Sequence, residues 1–182
     1  MYSPVHPDTA LVRAELESGL QVFTCPKSGG CWIPLSSYFQ WREQHLSDVD
    51  STSSEYSPAP AAESAQRALI CPESGCILVR YPVGRGLDIQ IDRSPKTGGI
   101  WLDSGEWEAL KSKGLHRELH LIFTAPYQRR ERTERVTRGI AERLESHIGR
   151  EDFTRVTELK RWLSGHPRKR DILGYLLDDE ES

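Results

Sequence analysis

The strongest constraint on this chain is an internal repeat. Cys25-Pro26-Lys27-Ser28-Gly29-Gly30-Cys31-Trp32 and Ser94-Pro95-Lys96-Thr97-Gly98-Gly99-Ile100-Trp101 run in register, with Cys25 and Ser94, and Trp32 and Trp101, each 69 residues apart. Ser3-Pro4-Val5-His6 and Cys71-Pro72-Glu73-Ser74-Gly75-Cys76 make a second matching pair, with Ser3 and Cys71 68 residues apart. Agreement at four turns is hard to produce by chance, and it divides the chain into two copies of one small unit plus an extra segment.

Each copy carries the same succession of elements. In the first, Leu11–Leu16 and Leu20–Thr24 read as strands joined across Glu17-Ser18-Gly19. After the Gly29-Gly30 turn, Pro34 opens a helix expected to run to about Leu46. In the second, Ile77–Val83 and Leu87–Asp92 alternate as strands around Gly84-Arg85-Gly86. A helix then starts at Asp103, which with Glu106 three residues on makes a capping box, and stops at Gly114. Between the copies, residues 47–66 are rich in Ser, Asp, Ala and Pro and read as an acidic, flexible linker. The expected organisation is α+β: a first unit over 1–46, the linker, a second unit over 67–124, and a helical tail over 125–182.

The run from Gly98 to Trp107, Gly-Gly-Ile-Trp-Leu-Asp-Ser-Gly-Glu-Trp, strongly resembles the transcription-factor-IIB-type zinc ribbon of many small bacterial proteins, whose pattern reads roughly CPxCGGxWLDxGELE. The resemblance covers about residues 1–46 and 67–124. It implies two small zinc-ribbon-like β units, each followed by a short helix, and a protein that binds zinc and, by likeness to transcription factors, nucleic acid or protein. Carried over, the ligand positions fall on Ser3, His6, Cys25 and Ser28 in the first unit, and on Cys71, Ser74, Ser94 and Thr97 in the second. Serine and threonine hydroxyls keep their protons at neutral pH and are poor zinc ligands, so neither set closes a four-ligand structural site. A structural zinc supplies about 10 kcal/mol or more of apparent binding free energy to folding. Without it, units of this size are expected to pack on each other, on the tail, or on a partner.

The four cysteines leave three readings open. All are small buried hydrophobes in metal-free units; or Cys25, Cys31, Cys71 and Cys76 share one rewired zinc site, which requires the two units to meet turn to turn; or disulfides close within each pair. No secretory start and no bilayer-length apolar run is visible, so cytoplasm is the expected compartment, with reduced thiols and no membrane association. Zinc enters only through the four-cysteine reading; no other cofactor is expected.

Chemistry has little to stand on. Asp103 and Glu106 are explained by helix initiation, and no nucleophile accompanies them. His116 and His120, four apart on an expected helix, would share a face; packing at a helix end competes there with metal binding. No phosphate loop or cofactor fingerprint occurs.

The tail reads as three helices: Pro126–Ile148, with Val136, Ile140, Leu144 and Ile148 on one narrow stripe, then Asp152–Leu163, then a short one containing Ile172 to Leu177. They are expected to form a small hairpin or bundle that clamps the core, docks a partner or joins two copies of the chain. Residues 129–170 hold thirteen Lys/Arg against seven Asp/Glu, although the whole chain is at −3. Arg129, Arg130, Arg132, Arg135 and Arg138 are therefore candidate phosphate contacts, diluted by Glu131, Glu134, Glu142 and Glu145. The aromatic load of the unit helices, Tyr38, Trp41 and Trp107, serves either the core or a binding surface. The leading expectation is a non-enzymatic adaptor or assembly protein that holds a protein partner; the alternative is a nucleic-acid or transcription-associated binder.

Overall fold

The computed structural model describes residues 1–45 and 67–178; the expected linker lies outside the described residues. The chain forms two compact units, Met1–Arg132 and Thr133–Ser182. Among the described residues no helix is long and apolar enough to cross a membrane.

The first unit is α+β. Strands β1 (Val12–Glu17), β2 (Leu20–Thr24) and β3 (Cys31–Ile33) come from the first repeat, and β4 (Val79–Gly84), β5 (Leu87–Arg93) and β6 (Ile100–Leu102) from the second. They make one antiparallel sheet in the order β1-β2-β3-β6-β5-β4. The two repeats are thus halves of a single sheet rather than separate bodies. They join through β3 and β6, where Trp32 lies directly opposite Trp101, flanked by Cys31 opposite Leu102 and Ile33 opposite Ile100. The matching tryptophans pair with each other, and the residue after each pairs with the residue before the other, so the sheet has an approximate two-fold axis at the tryptophan pair.

Side-chain alternation along β3 and β6 sends these residues to opposite faces. Cys31, Ile33, Ile100 and Leu102 enter the larger core with Tyr38 and Trp41 of α1 (Leu35–Gln44) and Trp107, Ala109 and Leu110 of α2 (Glu106–Ser112). Leu115, Leu119 and Ile122, from a 3-10 turn (Leu115–Glu118) and α3 (Leu119–Ile122), complete it. On the other face, Trp32 and Trp101 pack with Cys25, Leu69, Cys71 and Leu78. Both indoles are essentially inaccessible, at 0% and 1% exposure.

Two close approaches fix the halves against each other. A Cβ added at Gly30 would stand 2.5 Å from Cζ2 of Trp101, and one at Gly99 would stand 2.2 Å from Cζ2 of Trp32. Each tryptophan therefore lies on the glycine of the opposite repeat, where any side chain would hold it off. Polar bonds span the halves too: the Trp107 indole and the Lys111 ammonium both donate to the Glu17 carboxylate at 3.0 Å.

Helix α4 (Ala125–Ile148) begins in this unit. Its first turns hold the β4–β5 hairpin: Tyr127 Oη donates to the Val83 carbonyl, Gln128 Nε2 donates to the Pro82 carbonyl at 3.1 Å, and Glu131 is buried against Gly84.

The second unit comprises the rest of α4, α5 (Arg150–Ser164) and α6 (Lys169–Leu177). The helices lie where the sequence predicts them, but their apolar stripes stay open. Val136, Ile140, Leu144, Val156, Leu159 and Trp162 are exposed, and among this unit's described apolar residues only Leu163 is buried.

Candidate functional site

Three of the four repeated turns share one backbone. The N–H of the first residue donates to the carbonyl five positions on: Cys25 to Gly30 and Cys71 to Cys76 at 2.8 Å, and Ser94 to Gly99 at 2.8 Å. The N–H of the fifth residue returns to the first carbonyl, at 2.9 Å from Gly29, 3.0 Å from Gly75 and 3.0 Å from Gly98. Those three glycines take φ of 71°, 69° and 75°, a left-handed conformation that costs other residues roughly 1–2 kcal/mol. The fourth turn is wider: Ser3 N–H donates to the Thr9 carbonyl, and Ser3 Oγ accepts from the N–H groups of Val5 and His6.

These turns bring their side chains into two hydrogen-bonded clusters on the tryptophan face of the sheet. In one, the Ser28 and Ser3 hydroxyls lower the pKa of the Cys25 thiol beside them. In the other, Cys76 Sγ lies 3.2 Å from Ser74 Oγ and 3.5 Å from Ser94 Oγ, Cys71 Sγ lies 3.9 Å from Thr97 Oγ1, and Ser94 Oγ accepts the Thr97 N–H at 3.1 Å. Burial raises the Cys25 and Cys71 thiols, but bonds from Ser28 and Ser3, and from Ser74 and Ser94, outweigh it and leave both below the usual thiol range. Cys31 differs: burial first, then the negative charges of Glu106, Glu108 and Asp103, push it up to about 12.

The donor set is poor for a metal. One thiol among hydroxyls in the first cluster, or two in the second, cannot satisfy a tetrahedral zinc, and among the described residues no group of three or more His, Cys, Asp or Glu could hold a metal ion. Nor are the four cysteines gathered. Cys31 belongs to the larger core, while Cys25, Cys71 and Cys76 belong to the tryptophan face.

Other candidates from the sequence are placed as follows. Tyr38, Trp41 and Trp107 are buried, so their indoles and phenol build the core and offer no contact surface. Tyr38 Oη accepts the Leu119 N–H at 3.1 Å. His116 and His120 do not share one helix: His116 lies in the 3-10 turn with its ring against Trp41 and Trp107, and His120 lies in α3 against Tyr38 and Phe39. Arg129, Arg130, Arg132, Arg135 and Arg138 are exposed on α4.

The Glu106 half of the expected capping box is present: Glu106 Oε2 accepts the Asp103 N–H at 2.8 Å, and Asp103 Oδ1 also accepts the Trp101 indole N–H at 2.9 Å. The helix starts at Glu106, behind Gly105 at φ 83°. The repeat offered no hint that Glu106 would be buried. The closing of α2 onto the sheet desolvates it, and with Asp103 and Asp92 nearby its carboxyl rises from 4.5 to about 8. An acid whose pKa is higher in the folded state favours folding while protonated. That contribution is complete below about pH 4.5 and is lost as pH climbs through about 8. Glu106→Gln should therefore flatten the fall in stability over this window, read as urea midpoints at both ends. A slope equal to the wild type would show that Glu106 does not cause it.

The fold and the site together define an α+β protein with two thiol–hydroxyl clusters on one face of a two-fold-related sheet. Comparison of the chain with protein-family models, with curated proteins and with solved structures finds no match.

Proposed function

We propose that this chain is a non-enzymatic adaptor or assembly protein: a tandem core of the transcription-factor-IIB zinc-ribbon type, its ligand positions converted to hydrogen-bonding side chains, bearing a helical tail that binds a protein partner. The observation that carries this reading is the open apolar surface of the tail. Val136, Ile140 and Leu144 recur every four residues on α4 and are 56%, 57% and 37% exposed, and Val156, Leu159 and Trp162 of α5 are exposed as well. Apolar side chains aligned and left in water mark interaction surfaces more often than chance scatter does. The core supports the reading from the other side. Its hydroxyl clusters keep the backbone of a metal knuckle, and Asp103 and Glu106 are both engaged in structural hydrogen bonds.

The test sets this against the nucleic-acid alternative that the exposed arginines of α4 favour. With the full chain as bait, a specific protein should be recovered, and Ile140→Asp with Leu144→Asp should cut that recovery at least tenfold. The unsubstituted chain should not raise the anisotropy of labelled duplex DNA or single-stranded RNA. Binding to either that weakens steeply between about 50 and 200 mM salt, and that survives the two aspartates, would overturn the proposal in favour of phosphate contacts by Arg129 to Arg138.

A further inference from the structure

The turn of Cys71 differs from both of its counterparts at two positions, Glu73 in place of a lysine and Cys76 in place of a glycine. Where the others end on Gly30 and Gly99, each beneath a tryptophan of the opposite repeat, this one ends on Cys76. We propose that Cys71 and Cys76 are a paired oxidation site, closing to a disulfide on reaction with a hydroperoxide and reopening with a thiol reductant.

The geometry rests on register. Ile70 and Ile77 form an antiparallel bridge, and flanking bonds run from Cys71 N–H to the Cys76 carbonyl and from Leu78 N–H to the Leu69 carbonyl, each at 2.8 Å. Cys71 and Cys76 are therefore the next directly opposed pair, with side chains on the same face. Opposed residues joined by such a bond have Cα atoms about 5.5 Å apart, inside the window of about 4.4–6.8 Å that a disulfide spans. Both thiols enter one cluster at the turn of Ser94: Cys76 Sγ lies 3.5 Å from Ser94 Oγ and Cys71 Sγ lies 3.9 Å from Thr97 Oγ1. Ser74 Oγ also holds Cys76, at 3.2 Å. Exposure assigns the roles: Cys71 is buried and Cys76 is partly open to solvent.

The step balances without a further reactant. The Cys76 thiolate attacks the peroxide oxygen, the O–O bond breaks, and the departing alkoxide or hydroxide takes a proton, leaving a sulfenic acid. The sulfur of Cys71 then attacks the Cys76 sulfur, the S–O bond breaks, and water leaves with the Cys71 proton. Two thiols lose two electrons, and the peroxide is reduced to an alcohol, or to water, plus water.

The other two cysteines provide an internal control. Cys31 pairs with Thr24 in the sheet and lies in the larger core, whereas Cys25 lies on the tryptophan face, so this pair cannot bridge. The experiment treats the intact protein with hydrogen peroxide, blocks the remaining thiols with iodoacetamide, and maps cross-linked peptides by mass spectrometry. The expected product has lost two hydrogens, carries one intramolecular Cys71–Cys76 link, keeps Cys25 and Cys31 alkylatable after unfolding, and releases the Cys71 and Cys76 thiols with dithiothreitol. Cys71→Ser should leave Cys76 as the sulfenic acid, which a dimedone probe traps before further peroxide carries it to sulfinic acid. A wild-type protein that accumulates sulfinic acid at Cys76 without a link, links through any other pair, or keeps both thiols would overturn the proposal, and none of these readings depends on a partner being known.

Discussion

Trp101→Ala is expected to unfold the Met1–Arg132 unit at ordinary temperature. Trp101 is 1% exposed, faces Trp32 across the β3–β6 seam, lies on Gly30, and donates its indole N–H to Asp103 at 2.9 Å. Truncating a buried tryptophan costs about 3–5 kcal/mol, and the lost donor leaves the Asp103 carboxylate short of one partner. Against a typical total of about 5–15 kcal/mol, that is a large share of the unit's stability. The readout is the urea midpoint together with near-ultraviolet circular dichroism. Trp162→Ala is the control, because its side chain is 54% exposed and its loss should change stability by no more than about 0.5 kcal/mol. Equal midpoints for the two variants would refute the assignment of the tryptophan pair as the centre of the fold.

The second large effect comes from adding one methyl group. Gly99→Ala places a Cβ 2.2 Å from Cζ2 of Trp32, a distance that no flexible chain end can relieve because the indole is fully enclosed. Overpacking of this kind costs about 1–3 kcal/mol or more, and here it also pushes apart the strands that join the two repeats. The cause can be isolated. Gly99→Ala in a Trp32→Leu background should lose much less than in the wild type, giving a coupling energy of about 0.5–3 kcal/mol between the sites. Strict additivity would show that the glycine serves its own backbone instead. Gly75→Ala makes a useful contrast. Nothing lies within 4 Å of its added Cβ, but its φ of 69° makes the change a backbone penalty of about 1–2 kcal/mol.

Much of the architecture is legible in the residue order alone. The strands β1, β2, β4 and β5 lie within one or two residues of the segments picked out by alternation, and the tail helices begin and end near their expected limits. Gly149 stands between α4 and α5, as its place after the apolar stripe implies. The repeat turns are equally legible, because Pro and Gly act within a few residues of where they stand. The expectations drawn from side chains alone fare less well. Tyr38, Trp41 and Trp107 could serve a surface or a core with the same helical spacing, and only the folding of α1 and α2 onto one side of the sheet buries them. The Asp103 carboxylate takes on a second task that the helix pattern does not announce, accepting the Trp101 indole N–H across the β6–α2 corner. His116 and His120 lose their common helix because Gly114, at φ 67°, turns the chain into a 3-10 segment.

The clusters divide in the same way. The family resemblance names Ser3, His6, Cys25 and Ser28 as one group and Cys71, Ser74, Ser94 and Thr97 as another; in the first Ser3 Oγ accepts the His6 backbone N–H, and in the second Cys71 Sγ lies 3.9 Å from Thr97 Oγ1 and Ser94 Oγ accepts the Thr97 N–H. It leaves open whether Cys31 joins Cys25 or stands apart, since a shift of one residue along a strand reverses the face a side chain occupies.

By itself, then, the sequence determined the unit that is repeated, the turns, the order of strands and helices, and the α+β class, all of which depend on interactions within a few residues or on a period along the chain. The tertiary structure decided that the two units share one sheet, that each tryptophan rests on the other's glycine, that Glu106 is stripped of water, and that Cys71 faces Cys76 while Cys31 faces away. The first two depend on which surfaces meet across about 69 residues of chain, a pairing set by the packing of whole faces, and the burial of Glu106 and the face taken by each cysteine follow from how strands and helices then stack, which no local pattern encodes.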